Sequence, residues 1–156
     1  MKLIFLDFDG VLNSHKFFIT QEGLKVVRLY GDLDETLDPT KIDLINQLVN
    51  QTGAQVVVSS SWRVTHTLES LNAILTRHGA TFKLIGETPY LGKYRGAEIA
   101  EYLSGLKEQP THFVIIDDDS DMGEVKSHLV KTSMMSGMDE GHLKDCLTIL
   151  GVTDSA

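Results

Sequence analysis

The chain has 156 residues, which is enough to bury the core of a single domain. Its hydrophobic fraction of 42% and charged fraction of 23% are typical of globular proteins. A formal net charge of −8 argues against a broad electrostatic contact with nucleic acid or an anionic membrane. The one cysteine, Cys146, forms no intrachain disulfide, and no apolar stretch approaches the length of a membrane span. These features predict a cytoplasmic protein.

The first predicted element is a buried strand over residues 3–8 that ends in two carboxylates. Asp7 follows four apolar residues, Asp9 comes two positions later, and Gly10 permits a tight turn. Carboxylates this close repel each other unless a cation lies between them. The segment therefore predicts a metal ion, and Mg²⁺ is favoured because it binds one or two carboxylates together with phosphate oxygens. An acidic turn that caps the next element is the structural alternative.

The next segment, residues 13–39, shows no single hydrophobic period. Two short apolar runs, 17–20 and 24–30, flank a Gln-Glu-Gly break, and this pattern predicts a β-hairpin. The segment is too short for a second domain. We therefore expect one domain over residues 1–156 with a small flap inserted at about 13–39.

Helices and strands alternate through the rest of the chain. Asp38-Pro39 predicts a helix start and Gly53 its end. Further strands are predicted at 54–59, 81–85, 112–116 and 128–132, and helices at 68–75, 97–106 and 143–150, with a short helix before the last strand. Several strands are apolar on both faces, which indicates an α/β fold whose five-stranded parallel sheet is covered on both sides.

Polar residues at the strand ends are the candidate site, because ligands of such sheets bind beyond the carboxyl ends of the strands. Ser59 and Ser60 follow the second strand and offer hydroxyl and backbone N–H donors to a phosphoryl group. Lys93 and Arg95 precede a predicted helix and offer positive charge. The pattern does not decide between the two serines or between the two cations.

An acidic run, residues 117–121, follows the fourth strand as Asp7 follows the first. Asp117 and Asp118 beside Asp7 and Asp9 would make a metal site of hard oxygen ligands. The spacing of a calcium-binding EF-hand loop is absent. A solvated helix cap is the structural alternative.

In chain order, these four motifs resemble those of the haloacid dehalogenase-like (HAD) superfamily of phosphohydrolases. The Ser-Ser-Ser-Trp-Arg segment and the Asp-Asp-Asp-Ser-Asp run are most similar to a small subgroup proposed to act in RNA repair, with a likeness to the phosphatase half of polynucleotide kinase-phosphatases. The resemblance covers roughly residues 1–150 and implies a three-layer Rossmann-like fold with a minimal cap. The chain departs from the common pattern in lacking a Lys-Pro in the basic motif and in having three candidate serines.

The resemblance also implies roles for these residues. Asp7 is expected to attack phosphorus and form an aspartyl-phosphate, while Asp9 exchanges protons with the leaving group and with water. Ser59 and Arg95 are expected to hold the phosphoryl oxygens. The expected ligands of Mg²⁺ are Asp7, the backbone carbonyl of Asp9, Asp117, Asp118 through water, and as a further candidate Asp121.

The remaining candidates are substrate-rim residues. Trp62, Arg63 and His66 follow the second strand, and His15 and Lys16 follow the first turn. With an open site and a possible stacking ring at Trp62, the phosphorylated substrate is expected to be an RNA or DNA end. No protein partner is predictable from the sequence, and no membrane association is expected.

Three alternatives compete with this interpretation. A small-metabolite phosphatase would share the chemistry, and a non-catalytic phosphate-binding module would share only the fold. A receiver domain is disfavoured, because its phosphoacceptor Asp normally follows the third strand and residues 84–86 here are Leu-Ile-Gly.

Overall fold

A computed structural model describes residues 1–20, 23–25 and 35–152 of the chain. The strands are β1 (Lys2–Leu6), β2 (Gln55–Val58), β3 (Leu84–Glu87), β4 (His112–Asp117) and β5 (Leu129–Lys131). The helices are α1 (His15–Phe18), α2 (Pro39–Thr52), α3 (Trp62–Thr65), α4 (Leu68–Arg77), α5 (Arg95–Ser104) and α6 (Glu140–Ile149), with a 3-10 helix at Gly123–His128.

All five strands pair in parallel in the order β3-β2-β1-β4-β5. This confirms the predicted α/β fold with a five-stranded parallel sheet. The carboxyl ends of the strands therefore meet at one edge, with β1 in the centre. The polar residues that follow β1, β2 and β4 are brought together there.

The sheet separates two buried apolar clusters, because successive side chains of a strand point to opposite faces. Ile4 and Leu6 of β1 pack in the cluster that also contains residues of α2, α4 and α6. Leu3 and Phe5 pack in the other cluster, with residues of α5 and the 3-10 helix. Helices on both faces give the three layers that the sequence implied.

Helix α2 begins and ends where the sequence predicted. The Asp38 side chain accepts a hydrogen bond from the Thr40 backbone N–H at the helix start. Gly53 ends the helix in the left-handed conformation at φ 68°. Strand β3 is shifted relative to its prediction, since it begins at Leu84 and not at residue 81.

The predicted β-hairpin is wrong within the described residues. Residues 15–18 form helix α1, because the Ser14 side chain caps it by accepting a hydrogen bond from the Phe17 N–H, and Phe17 is buried. Residues 23–25 are also helical. Residues 26–30 of the second predicted strand lie outside the described part of the chain. Among the described helices, none is both long and apolar enough to cross a membrane.

Candidate active site

The turn after β1 carries the first two carboxylates. Asp7 is buried, its backbone N–H donates to the carbonyl of Ile116 on β4 at 3.1 Å, and its Oδ1 accepts from the Phe8 N–H at 2.9 Å. Gly10 turns the chain at φ 77°, and a Cβ there would lie 2.7 Å from Cγ of Asp118. Glycine is therefore required at position 10 both by the backbone conformation and by the close approach of Asp118.

Asp9 is held by Asn13, which the sequence analysis did not identify. Asn13 Nδ2 donates to Asp9 Oδ1 at 2.9 Å, and Asn13 Oδ1 accepts from the Gly10 N–H at 3.0 Å. A second missed residue is Thr132, whose Oγ1 donates to the Gly10 carbonyl at 2.6 Å. An amide three residues after the glycine of an Asp-x-Asp-Gly turn was the available signal for Asn13, whereas Thr132 is distant in sequence and had none.

Three carboxylates form a group with the spacing of a metal site. Asp7, Asp117 and Asp118 each offer one oxygen, and these oxygens lie within 4.8 Å of one another. Asp117 is fully buried, and its Oδ1 accepts from the Asp119 N–H at 2.9 Å, which fixes the side chain. A set of hard carboxylate oxygens fits Mg²⁺. Asp121 is exposed and lies outside this group, with its backbone carbonyl accepting from the Gly96 N–H at 3.3 Å.

Burial and mutual repulsion shift the titration of this group. Burial, then the Asp117 charge, raises the pKa of Asp7 well above its ordinary value, and the Arg95 charge partly opposes the shift. Burial likewise raises the pKa of Asp117 to about 6. Both carboxyls therefore resist ionisation in the metal-free protein, and a bound cation would favour the ionised forms.

Arg95 is the cation that the structure places among these carboxylates. Its Nη1 lies 2.9 Å from Asp117 Oδ2 and 3.2 Å from Asp7 Oδ1. Arg95 begins α5, and the next residue, Gly96, allows close packing because a Cβ there would lie 2.0 Å from the Met122 carbonyl oxygen. Lys93, the other candidate, lies exposed in the preceding loop.

The two candidate serines differ in their hydrogen bonding. Both are fully buried. Ser60 Oγ accepts from the N–H of Trp62, the first residue of helix α3, at 3.2 Å. Within the described part of the chain, neither Ser59 Oγ nor Thr88 Oγ1, after β3, has a hydrogen-bond partner. A buried hydroxyl without a partner is unfavourable, so Ser59 is the serine whose side chain remains available for a ligand.

Arg63 lies inside the protein and not at the substrate rim predicted for it. All five of its N–H donors are used: they contact the carboxylate of Glu98 at 2.8 Å and four backbone carbonyls. The carbonyls belong to Ser59, Ser60, Thr88 and Pro89. These hydrogen bonds hold the guanidinium in the interior and stabilise the turn that carries Ser59 and Ser60. Its partner Glu98 lies 35 residues further along the chain, so no local pattern could have indicated this contact.

Trp62 forms the wall of a cavity beside Asp9. Its side chain is largely buried, with its ring 5.2 Å from that of Phe8 and stacked on His66 at 5.6 Å. The cavity has a volume of about 730 Å³. His15, another predicted rim residue, lines it, while Lys16 is exposed and is not part of the lining. The lining residues are Asp9, Asn13, Ser14, His15, Phe18, Ser61, Trp62, Val64, Thr65, His66, Tyr90 and Met134.

The central parallel strand with two carboxylates at its end, the acidic pair after β4 and the arginine between them are the arrangement of an HAD-type hydrolase domain. Comparison with protein families agrees with this assignment. The chain belongs to the family described as the HAD domain in Swiss Army Knife RNA repair proteins, whose sequence profile matches residues 3–143. No curated protein and no solved structure matches the chain significantly. Family membership implies a phosphatase-type hydrolase.

Proposed function

We propose that this protein is a Mg²⁺-dependent phosphomonoester hydrolase that acts through an aspartyl-phosphate on Asp7. The observation that carries the proposal is the convergence of Asp7, Asp117, Asp118 and Arg95 at the carboxyl edge of the sheet. A phosphate needs positive charge and a nucleophile in one place, and this group supplies an arginine, a carboxylate nucleophile and ligands for a cation.

Each residue has a defined part in the reaction. An Asp7 oxygen attacks phosphorus and forms the P–O bond, while the bond to the leaving oxygen breaks and Asp9 donates a proton to that oxygen. Asp9 then takes a proton from the water that attacks the aspartyl-phosphate, so Asp7 is regenerated and inorganic phosphate leaves. Asn13, hydrogen-bonded to Asp9 Oδ1, orients the Asp9 carboxyl for both transfers.

The remaining residues bind the phosphoryl group and the metal. Arg95 neutralises its oxygens, and the unpartnered Ser59 hydroxyl is a donor for one of them. Asp7, Asp117, Asp118 and the Asp9 carbonyl would hold Mg²⁺, whereas Asp121 is exposed and is not part of the carboxylate group. When bound, Mg²⁺ supplies positive charge that offsets the repulsion between the carboxylates and a phosphate.

For the substrate, we propose a terminal phosphate of RNA or DNA in the cytoplasm. The family description refers to RNA repair, and the site is bordered by an open cavity with aromatic walls. The net charge of −8 opposes a long nucleic-acid footprint, so contacts are expected with only the terminal nucleotides.

The test is phosphate release from oligonucleotides with a terminal phosphate, from mononucleotides and from sugar phosphates, each with Mg²⁺ and with EDTA. We expect the oligonucleotide to have the highest kcat/KM and EDTA to abolish turnover. Asp7→Asn should abolish activity, and Asp9→Asn should lower it by roughly 10²–10⁴. Asp43→Asn, at an exposed carboxylate of α2, is the matched control and should behave as wild type.

Two results would contradict parts of this proposal separately. If mononucleotides and sugar phosphates are hydrolysed as well as the oligonucleotide, the nucleic-acid end is the wrong substrate and a small-metabolite phosphatase is favoured. If no phosphomonoester is hydrolysed, the chain is a phosphate-binding module and the enzymatic proposal fails.

A further inference from the structure

The cavity beside Asp9 has no role in the reaction as described so far. Because Asp9 is the proposed proton donor to the leaving oxygen, the group that departs with that oxygen must lie on the Asp9 side of the phosphate. Asp9 itself lines the cavity. Its volume of about 730 Å³ is within the range of roughly 300–1,000 Å³ for pockets that enclose small organic ligands. The cavity is therefore the space available to the leaving group.

The walls of this cavity are suited to a flat aromatic ligand. Trp62 and His66 stack with an angle of 21° between their planes, and Trp62 also makes an edge contact with the buried ring of Phe8. Tyr90 stands at the edge with 70% of its surface exposed, and Phe18 lies half-buried beside the cavity. An aromatic ring so exposed gains contact area when a second ring stacks on it.

The charge of the residues that line the cavity further restricts the chemical class of the ligand. No lysine or arginine is among the described residues that line the cavity, and its only basic side chains are His15 and His66. His66 is already near a carboxylate, with its Nε2 3.8 Å from Glu35. Such a wall offers little positive charge to a second phosphate. It favours a neutral ring with polar edges, which is the chemistry of a nucleobase.

We infer that this cavity is a nucleobase subsite, in which the base of the phosphate-bearing nucleotide stacks on Tyr90 against the wall formed by Trp62 and His66. The inference rests on the proposed phosphatase function and specifies how its substrate is recognised. Tyr90 is the specificity-determining residue, and Trp62 is a fixed wall. The subsite makes the base, and not a polyanionic backbone, the main source of substrate selectivity.

The chain supplies its own probe for this subsite, because Trp62 is its only tryptophan. Asp7→Asn protein with Mg²⁺ is titrated with an oligonucleotide bearing a terminal phosphate, and Trp62 fluorescence is followed. The comparison ligand is the same oligonucleotide with an abasic residue at the phosphorylated end. Stacking of one base predicts roughly 5- to 150-fold weaker binding of the abasic ligand and a smaller fluorescence change. Tyr90→Ala should remove this preference, whereas Tyr90→Phe, which keeps the ring, should retain it.

Equal affinity for the two ligands, no saturable binding of either, or an undiminished preference in Tyr90→Ala would overturn the subsite. Phosphate release by the wild-type enzyme separates this failure from failure of the proposed function. Equal turnover of both oligonucleotides would support the phosphatase function and contradict the nucleobase subsite. Base-dependent binding without any turnover would support the nucleobase subsite and contradict the phosphatase function.

Discussion

Two arginines lie near the carboxyl edge of the sheet, and their surroundings differ in kind. Arg63 and its partner Glu98 have side chains only 4% and 5% exposed, and every N–H of Arg63 has a protein acceptor. Arg95 is more accessible, and its described contacts involve Nη1 alone, which lies between Asp7 and Asp117. Arg63 is thus a fixed part of the scaffold, whereas Arg95 keeps donors for a ligand.

The number of N–H donors that the protein already uses indicates whether an arginine can bind a ligand. Guanidinium has five N–H donors. When all are used by the protein, as in Arg63, none is left for a phosphate. When most remain, and acidic groups with raised pKa values lie beside the cation, the region is suited to chemistry. Substitutions of Arg63 and Arg95 should therefore change different properties of the protein.

The largest effect is expected on stability, from Arg63→Ala. Removing one partner of a buried ion pair leaves Glu98 buried and unpaired, which typically costs about 3–5 kcal/mol. The free energy of unfolding from urea titration should fall by this amount. Lys83→Ala is the control, because Lys83 is exposed and donates to the Thr76 hydroxyl at 3.3 Å on the surface, and such surface substitutions usually change stability by no more than about 0.5 kcal/mol. Equal decreases in the free energy of unfolding in the two variants would contradict a structural role for Arg63.

Arg95→Ala should act on turnover instead. Loss of a positive charge that stabilises the transferring phosphoryl group is expected to lower kcat/KM by roughly 10²–10³. The Mg²⁺-bound variant should remain folded, and Arg95→Lys should recover part of the activity. Lys93→Ala, at the exposed candidate in the loop before α5, should change kcat/KM little. A larger loss in Lys93→Ala than in Arg95→Ala would reverse the assignment.

The metal-free protein should lose stability as pH rises. Burial raises the pKa of Asp117 from 3.8 to about 6, so the folded state binds this proton more tightly than the unfolded state. The stabilisation is complete below pH 3.8 and is lost between that pH and about 6. About two pKa units correspond to roughly 3 kcal/mol. Urea unfolding in EDTA across this range should show a smaller loss in Asp117→Asn than in wild type, because the raised pKa of buried Asp7 still contributes in both proteins. A flat difference between the two proteins would contradict the pKa shift.

Mg²⁺ should reverse that trend, because it binds the ionised carboxylates. At about 100 times the dissociation constant, a ligand bound only by the folded state adds roughly 2.7 kcal/mol. The melting temperature at neutral pH should therefore rise with Mg²⁺ relative to EDTA, and Asp117→Ala should abolish the rise. Identical melts in Mg²⁺ and EDTA would argue against a metal site at the three carboxylates.

The fold and the cluster of carboxylates at the edge of the sheet were predictable, because they depend on local patterns. Apolar runs that end in Asp7 and Asp117 mark central strands of a parallel sheet, and the topology brings their ends together. The hairpin prediction failed because Phe17 and Phe18 suit a strand by composition, while the cap from Ser14 and the burial of Phe17 favour a helix.

Other parts of the site depend on contacts between distant segments. The position of Arg63 is decided by Glu98 and by carbonyls after β2 and β3, and no short pattern contains them. The cavity is likewise assembled from the first turn, helices α1 and α3, and the loop at Tyr90. Sequence spacing alone cannot place such segments side by side.

The most direct test of the central claim is to trap the phosphoryl group on Asp7. Asp9→Asn protein with Mg²⁺ is mixed with an aryl phosphate whose leaving group needs no proton, quenched in acid, and mapped by peptide mass spectrometry. Because Asp9 is also needed to activate water, the intermediate should accumulate in this variant. We expect one phosphoryl group on Asp7, labile to hydroxylamine and absent from the double variant that combines Asp9→Asn with Asp7→Asn. Release of phosphate without a labelled protein, or a label on another residue such as Ser59, would contradict it.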